Sequence, residues 1–151
     1  MVKLLEKADI VATPGVIELP SGVELEVGET NQINYADGTV VYAAPMAGCV
    51  TSTGASPPIV NAGNAWTLNE HSSNSGCSGV TYNLTGQIQS KTLGAWWTRA
   101  STTKTLYGGQ SLAWPTKTPC IQTTNAEWRG RTLIGGTLVA QSSATNIPCV
   151  R

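Results

Sequence analysis

Phenylalanine is absent from this 151-residue chain, and charge is scarce: Asp, Glu, Lys and Arg together make up 12% of it, about half the usual share. The first absence leaves five Trp and four Tyr as the large aromatics, each with a polar handle that seeks a partner when buried. The second leaves surface hydration to hydroxyls and amides, supplied by 12 Ser, 20 Thr and nine Asn. No apolar run approaches the ~20 residues of a membrane span. Formal net charge is zero, so bulk attraction to nucleic acid or to an anionic membrane is not expected. There is no Gly-x-Ser-x-Gly elbow. Gly108-Gly109 and Gly135-Gly136 lack the spacing and the lysine of a phosphate loop. Cys-x-x-Cys is missing too, and His71 is the single histidine. Tetrahedral zinc sites need close ligand pairs, so no metal or other cofactor is expected.

Four cysteines are present: Cys49, Cys77, Cys120 and Cys149. In a Ser/Thr/Gly-rich chain without metal-like spacing they read as two disulfides. Three pairings are open. The expected one is sequential, closing two loops of similar size, each worth roughly 3.5 kcal/mol in a chain-entropy model. Disulfides place the chain outside a reducing cytosol, as a secreted, cell-surface or virion protein. Residues 1–9 carry both charge signs and no long apolar segment, unlike a signal peptide. The expectation is a mature form whose signal was removed, or a chain that reaches the outside without secretion.

The zero net charge hides two opposed parts. Residues 1–44 hold seven acids and two lysines, a net of −5, and residues 45–151 carry a net of +5. All four cysteines lie in the second part. We therefore expect an acidic N-terminal arm and hairpin over 1–44, either distinct from or part of the same sandwich, and a stapled body over 45–151. The domain as a whole is expected to be an all-β, immunoglobulin-like sandwich. Val16–Leu19 and Val23-Glu-Leu-Glu-Val27 read as strands, the latter by strict apolar/acidic alternation. Asp37-Gly38 between two strand-like runs signals a hairpin. Val80, Tyr82, Leu84 and Ile88 alternate with polar residues, and Gly86 marks a bend or bulge. Ala95–Thr98, Thr102–Leu106, Ser111–Trp114 (stopping at Pro115) and 128–140 (broken at Gly135-Gly136) complete the strand set. Residues 2–8 suggest a short helix. Residues 69–79, rich in Ser, Asn and Gly, read as a loop holding His71.

Catalytic chemistry finds little material. Glu70-His71 beside several serines hints at a hydrolase, but adjacent residues do not form a triad. Paired-carboxylate chemistry needs convergent acids, and beyond residue 44 only Glu70 and Glu127 are available. No catalytic residue is assigned.

The suggestive side chains are Trp96, Trp97 and Arg99, and Trp128, Arg129 and Arg131. If their strands pair, Arg stacks on Trp as a cation–π ladder. Trp96 and Trp97 must point to opposite faces, one to the core and the other to a ligand or partner. Glu18, Glu24, Glu26 and Glu29 form the acidic assembly arm. The leading expectation is a non-enzymatic structural protein that joins copies of itself on a virion or cell surface, through edge-strand pairing and acidic-to-basic contacts. The alternative is a monomeric secreted binding module for a glycan or protein, or an inhibitor. A small secreted hydrolase comes third. Expected partners are copies of itself, with a surface protein or glycan also considered, and neither nucleic acid nor membrane insertion.

Overall fold

Short β-prone runs punctuated by turn residues build two facing sheets in the computed structural model. The structure describes residues 2–8, 30–46 and 48–151, with side chains described for 32–43 and 48–151. The expected strands at 16–19 and 23–27, and the arm residues Glu18, Glu24, Glu26 and Glu29, lie outside the described residues.

The first sheet runs β1 (Val2–Ala8), β2 (Thr30–Tyr35), β3 (Val40–Met46), β4 (Cys49–Ala55) and β6 (Asn64–Ser73). The short β5 (Ile59–Asn61) continues the β4 side of β6, while β9 (Ser111–Pro119) pairs along the opposite edge of β6. The second sheet centres on β10 (Gln122–Ile134), flanked by β7 (Thr81–Thr92) and then β8 (Ala95–Tyr107). On the other side of β10 lie β11 (Thr137–Gln141) and β12 (Thr145–Val150). Pairing is antiparallel except for the parallel β1–β2 pair. The expected disulfide-stapled all-β sandwich is the observed fold. β3 passes through positions 44 and 45 without a break and pairs with β4 over its whole length.

Both disulfides pair sequentially. Cys49–Cys77, with Cα atoms 4.8 Å apart, ties the start of β4 to a 3₁₀ turn at Ser75–Cys77. Cys120–Cys149, with Cα atoms 5.0 Å apart, ties the residue after β9 to β12 and so joins the two sheets. Around it Trp128, Ile88, Ala65 and Cys149 form a buried apolar cluster, and the Trp128 indole N–H donates to the Cys149 carbonyl at 2.7 Å.

The Asp-Gly hairpin forms as expected. Tyr35 N–H donates to Thr39 O, and Asp37 Oδ1 accepts from Thr39 N–H at 2.9 Å. Gly135 and Gly136, both at positive φ, close the β10–β11 hairpin.

Four local expectations fail. Residues 2–8 are a strand rather than a helix: an isolated two-turn helix cannot offset its nucleation cost, whereas β2 supplies a ready ladder. The strand expected to stop at Pro115 continues to Pro119. Proline is tolerated in β9 because, among the described residues, that strand pairs on one side only. Residues 69–73 are not loop but the second half of β6, held between β4 and β9. Gly86 is not a bulge; the register shift lies between Ile88 and Gln89.

The role of Gly86 is to leave space. A Cβ there would collide with the Asn69 amide and the Thr116 hydroxyl. The space is needed because the sheet interface is polar. Thr53, Thr67, Thr116, Thr118 and Thr132 are all buried, and Asn69 lies among them. Asn69 Nδ2 donates to Arg131 O (2.9 Å) and Thr132 Oγ1 (3.0 Å), while its Oδ1 accepts from Thr116 Oγ1 (2.9 Å). Thr132 Oγ1 in turn donates to Gly54 O at 3.0 Å. One chain of bonds thus links β9, β6, β10 and β4.

Replacing Asn69 by Leu keeps the volume but takes the acceptor from the Thr116 hydroxyl and a donor from both Thr132 Oγ1 and Arg131 O. Urea unfolding is expected to show a loss of roughly 2–4 kcal/mol. Thr103→Ala, on the exposed side of β8, should change stability by less than about 0.5 kcal/mol.

Candidate functional site

Strand alternation sorts the candidate surface residues. β8, β7 and β10 lie side by side, and their outward positions bring Trp96, then Lys91, Gln89 and Gln87, then Glu127, Arg129 and Arg131 onto one face. β8 and β10 do not pair directly; β7 separates them. The Arg129 side chain crosses β7, so that its guanidinium carbon lies 4.2 Å from the Trp96 ring centroid. The expected Arg–Trp stacking is therefore present between these two residues. Lys91 Nζ lies 5.9 Å from the same ring and 3.6 Å from Glu127 Oε2.

A ladder of amides fixes the cations. Arg129 Nε donates to Gln89 Oε1 at 2.7 Å, and Gln89 Nε2 donates to Thr98 Oγ1 at 3.0 Å. Arg131 Nη1 donates to Gln87 Oε1 at 3.3 Å. Burial lowers the pKa of both arginines, and for Arg129 the neighbouring Arg131 charge lowers it further. Two like charges thus sit two positions apart on one strand face. The carboxylate on this plate, Glu127, is engaged with Lys91.

The other candidates separate from this plate. Trp97 and Arg99 project from the opposite face, near the β7–β8 turn. Trp97 Nε1 donates to Thr92 O at 3.4 Å, and Arg99 donates to Ser90 Oγ and Thr92 Oγ1, each at 2.8 Å. Trp97 is 55% exposed and Trp96 is half-buried, so neither fills the core as expected. Trp128 does: it is fully buried and is no part of a partner surface. Its inward position on β10 follows from Arg129 and Arg131 facing out.

Sequence reading missed a second feature, a cleft of about 440 Å³ beside β6. Trp66, Leu68 and Glu70 form its floor, Pro57, Pro58 and Ile59 one wall, and Asp37 the rim at the β2–β3 hairpin. The alternation Trp66, Leu68, Glu70 reveals that shared face once residues 64–73 are seen as one strand.

Glu70 and His71 therefore do not cooperate. Glu70 faces the cleft, whereas His71 points between the sheets, with its ring centroid 4.9 Å from that of Tyr82. Both His71 nitrogens and Glu70 Oε2 are buried without a hydrogen-bond partner among the described residues. Desolvation by burial, aided by the Asp37 charge, raises the Glu70 pKa to about 7. Desolvation lowers the His71 pKa to about 4. Each group is neutral where its exposed counterpart would be charged.

No protein-family model matches this sequence, and no curated protein matches it. Among solved structures, the chain is similar to DesR, a β-glucosidase from Streptomyces venezuelae determined in complex with D-glucose. The identity is 12% and the TM-score 0.41, over 64% of this chain and 15% of that one. It is also similar to a β-glucuronidase of glycoside hydrolase family 2, at 15% identity and a TM-score of 0.32, over 75% of this chain and 11% of that one. The chain thus spans a small fraction of either enzyme's length.

The two perturbed groups set opposed pH dependences. Glu70 titrates at 4.5 when unfolded and about 7 when folded. Below 4.5 it is silent, between 4.5 and 7 stability falls as pH rises, and above 7 the loss is complete. His71 titrates at 6.5 unfolded and about 4 folded. Its contribution is silent above 6.5, and stability falls as pH drops from 6.5 to 4. Each loss is worth roughly 3 kcal/mol, and across the shared window the slopes oppose. Glu70→Gln is expected to leave a profile that rises with pH through this window, and His71→Phe one that falls. Urea midpoints taken between pH 4 and 8 would check both.

Proposed function

We propose that this chain is a non-enzymatic structural protein that joins copies of itself on a virion or cell surface. The observation that carries this reading is the charge arrangement. Arg129 and Arg131 share a face on which the described carboxylate, Glu127, already serves Lys91. Residues 1–44 of the same sequence hold the complementary excess of acids. An acidic segment of a neighbouring copy is the occupant this plate fits.

Edge pairing supplies the second half of the mechanism. β8 is 13 residues long and, among the described residues, is paired on one side only. Its open edge offers a template for another strand. The Val23–Val27 sequence suits that role: in a strand, Glu24 and Glu26 share one face, and Val23, Leu25 and Val27 share the other. Added beside β8, the acids would lie on the side of Trp96 and Lys91, and the apolar residues on the side of the exposed Trp97. The two disulfides support a location outside a reducing compartment. No helix among the described residues is long and apolar enough to cross a membrane. Against catalysis stands the divergence of Glu70 and His71 to opposite faces of β6.

A second reading, a binding module for a glycan or protein ligand, is favoured by the half-buried Trp96 ring beside amide and guanidinium donors. A glycan array with Trp96→Ala and Trp97→Ala variants separates it from assembly.

Sedimentation velocity at low and high salt tests the leading reading. Expected are concentration-dependent oligomers that weaken as salt screens the charges, and that weaken at least about tenfold in the Arg129→Glu/Arg131→Glu double variant. A monomer at every concentration and salt would overturn assembly.

A further inference from the structure

The β7–β8 hairpin ends in an unusual turn. Thr92 and Ala95 pair across a two-residue loop, Leu93-Gly94, with φ of +54° and +79°. Positive φ at both central positions defines a type I′ turn, which favours Asn-Gly. A leucine there is strained by about 1–2 kcal/mol. Nor does Leu93 regain anything by burial, because it is 101% exposed. It touches no core and does not sit in the cleft of its own chain. The turn is nonetheless firmly held: Trp97 Nε1 and Arg99 Nη2 both donate to Thr92. A rigid apolar knob is thus displayed on a strained turn, next to the exposed Trp97. No described carboxylate pairs with Arg99; the ion pair present among the described residues is Lys91–Glu127.

The cleft beside β6 is complementary on both counts. Its walls are mostly apolar, from Ala55, Pro57, Pro58, Ile59, Trp66 and Leu68. Its rim carries Asp37, opposite in charge to Arg99. We propose that Leu93 at the β7–β8 tip of one copy seats in the cleft beside β6 of the next, with Arg99 facing Asp37. Knob and cleft are different surfaces, so a head-to-tail contact leaves one knob and one cleft free at its ends, and repetition gives a ring or an open chain of subunits. This inference rests on the self-assembly reading and names a contact for it that is separate from the Arg129/Arg131 plate.

Leu93→Asn removes the knob and gives the turn a residue it prefers, so the variant should melt no lower than the wild-type chain. Ile59→Lys, at a half-exposed cleft wall, sets a cation against Arg99. Sedimentation velocity on the full chain is expected to show association weakened at least about tenfold in each variant. An equimolar mixture restores one contact, from the knob of Ile59→Lys to the cleft of Leu93→Asn, and should give a 1:1 complex and nothing longer. A wild-type chain that never associates removes the assembly reading and this contact together. Wild-type association that Leu93→Asn leaves unchanged, or a mixture that stays monomeric, overturns the knob-in-cleft contact alone. Co-sedimentation with phosphatidylglycerol vesicles that depends on Leu93, with self-association unaffected by Leu93→Asn, would overturn it in favour of a lipid surface.

Discussion

One buried amide holds this sandwich together. Asn69 spends both donors and an acceptor site on β9 and β10, and through Thr132 it reaches β4. In a chain without Phe, the interface between the sheets cannot be filled by large apolar groups alone. Threonine, serine and asparagine fill the remaining space, and a buried hydroxyl is tolerable only when hydrogen-bonded. Asn69 satisfies two of these hydroxyls at once. Two glycines packed against β6 follow as a steric necessity: Gly86 clears room for the Asn69 amide, and Gly130 clears room for the Thr67 hydroxyl. A polar interface of this kind is demanding, because each member depends on the others. His71, which points into this interface, has neither ring nitrogen hydrogen-bonded among the described residues, and desolvation by burial lowers its pKa.

That same polar interface explains which parts of the structure were legible in the sequence. Features written in local chemistry were readable: the Asp37-Gly38 hairpin, the Gly135-Gly136 turn, the alternation through β7, and two disulfides closing similar loops. Features that depend on what lies across a sheet were not. Asn69, Ser72 and Ser73 look like loop residues because, locally, their side chains compete with the backbone for hydrogen bonds. Flanked by β4 and β9, they lie in a central strand instead. Gly86 looks like a strand defect until its neighbour is known to be Asn69. Residues 2–8 have no tertiary partner visible in the sequence, so helix propensity alone is misleading there.

The candidate surfaces divide along the same line. The stacking of Arg129 on Trp96 follows from residue types and strand period, although β7 between them was not foreseen. Assigning Trp128 to a surface failed because adjacency to two arginines says nothing about which way a strand residue faces. The cleft beside β6 was hidden by the misread loop, since its floor becomes a row only when residues 64–73 form one strand. The two surfaces sit on different sheets, the Arg129 plate on the sheet of β10 and the cleft beside β6.

The disulfides also decide how such a chain would bear tension. Cys49–Cys77 and Cys120–Cys149 enclose sequence separations of 28 and 29 residues. A pull applied at the two termini would cross each loop through its sulfur–sulfur bond. The residues between each cysteine pair would then carry no load and release no length. The hairpin of β10 and β11 lies within the second loop. A force that stripped strands from the N-terminal edge would leave that hairpin locked, so the subunit could lengthen under strain without losing the basic face of Arg129 and Arg131.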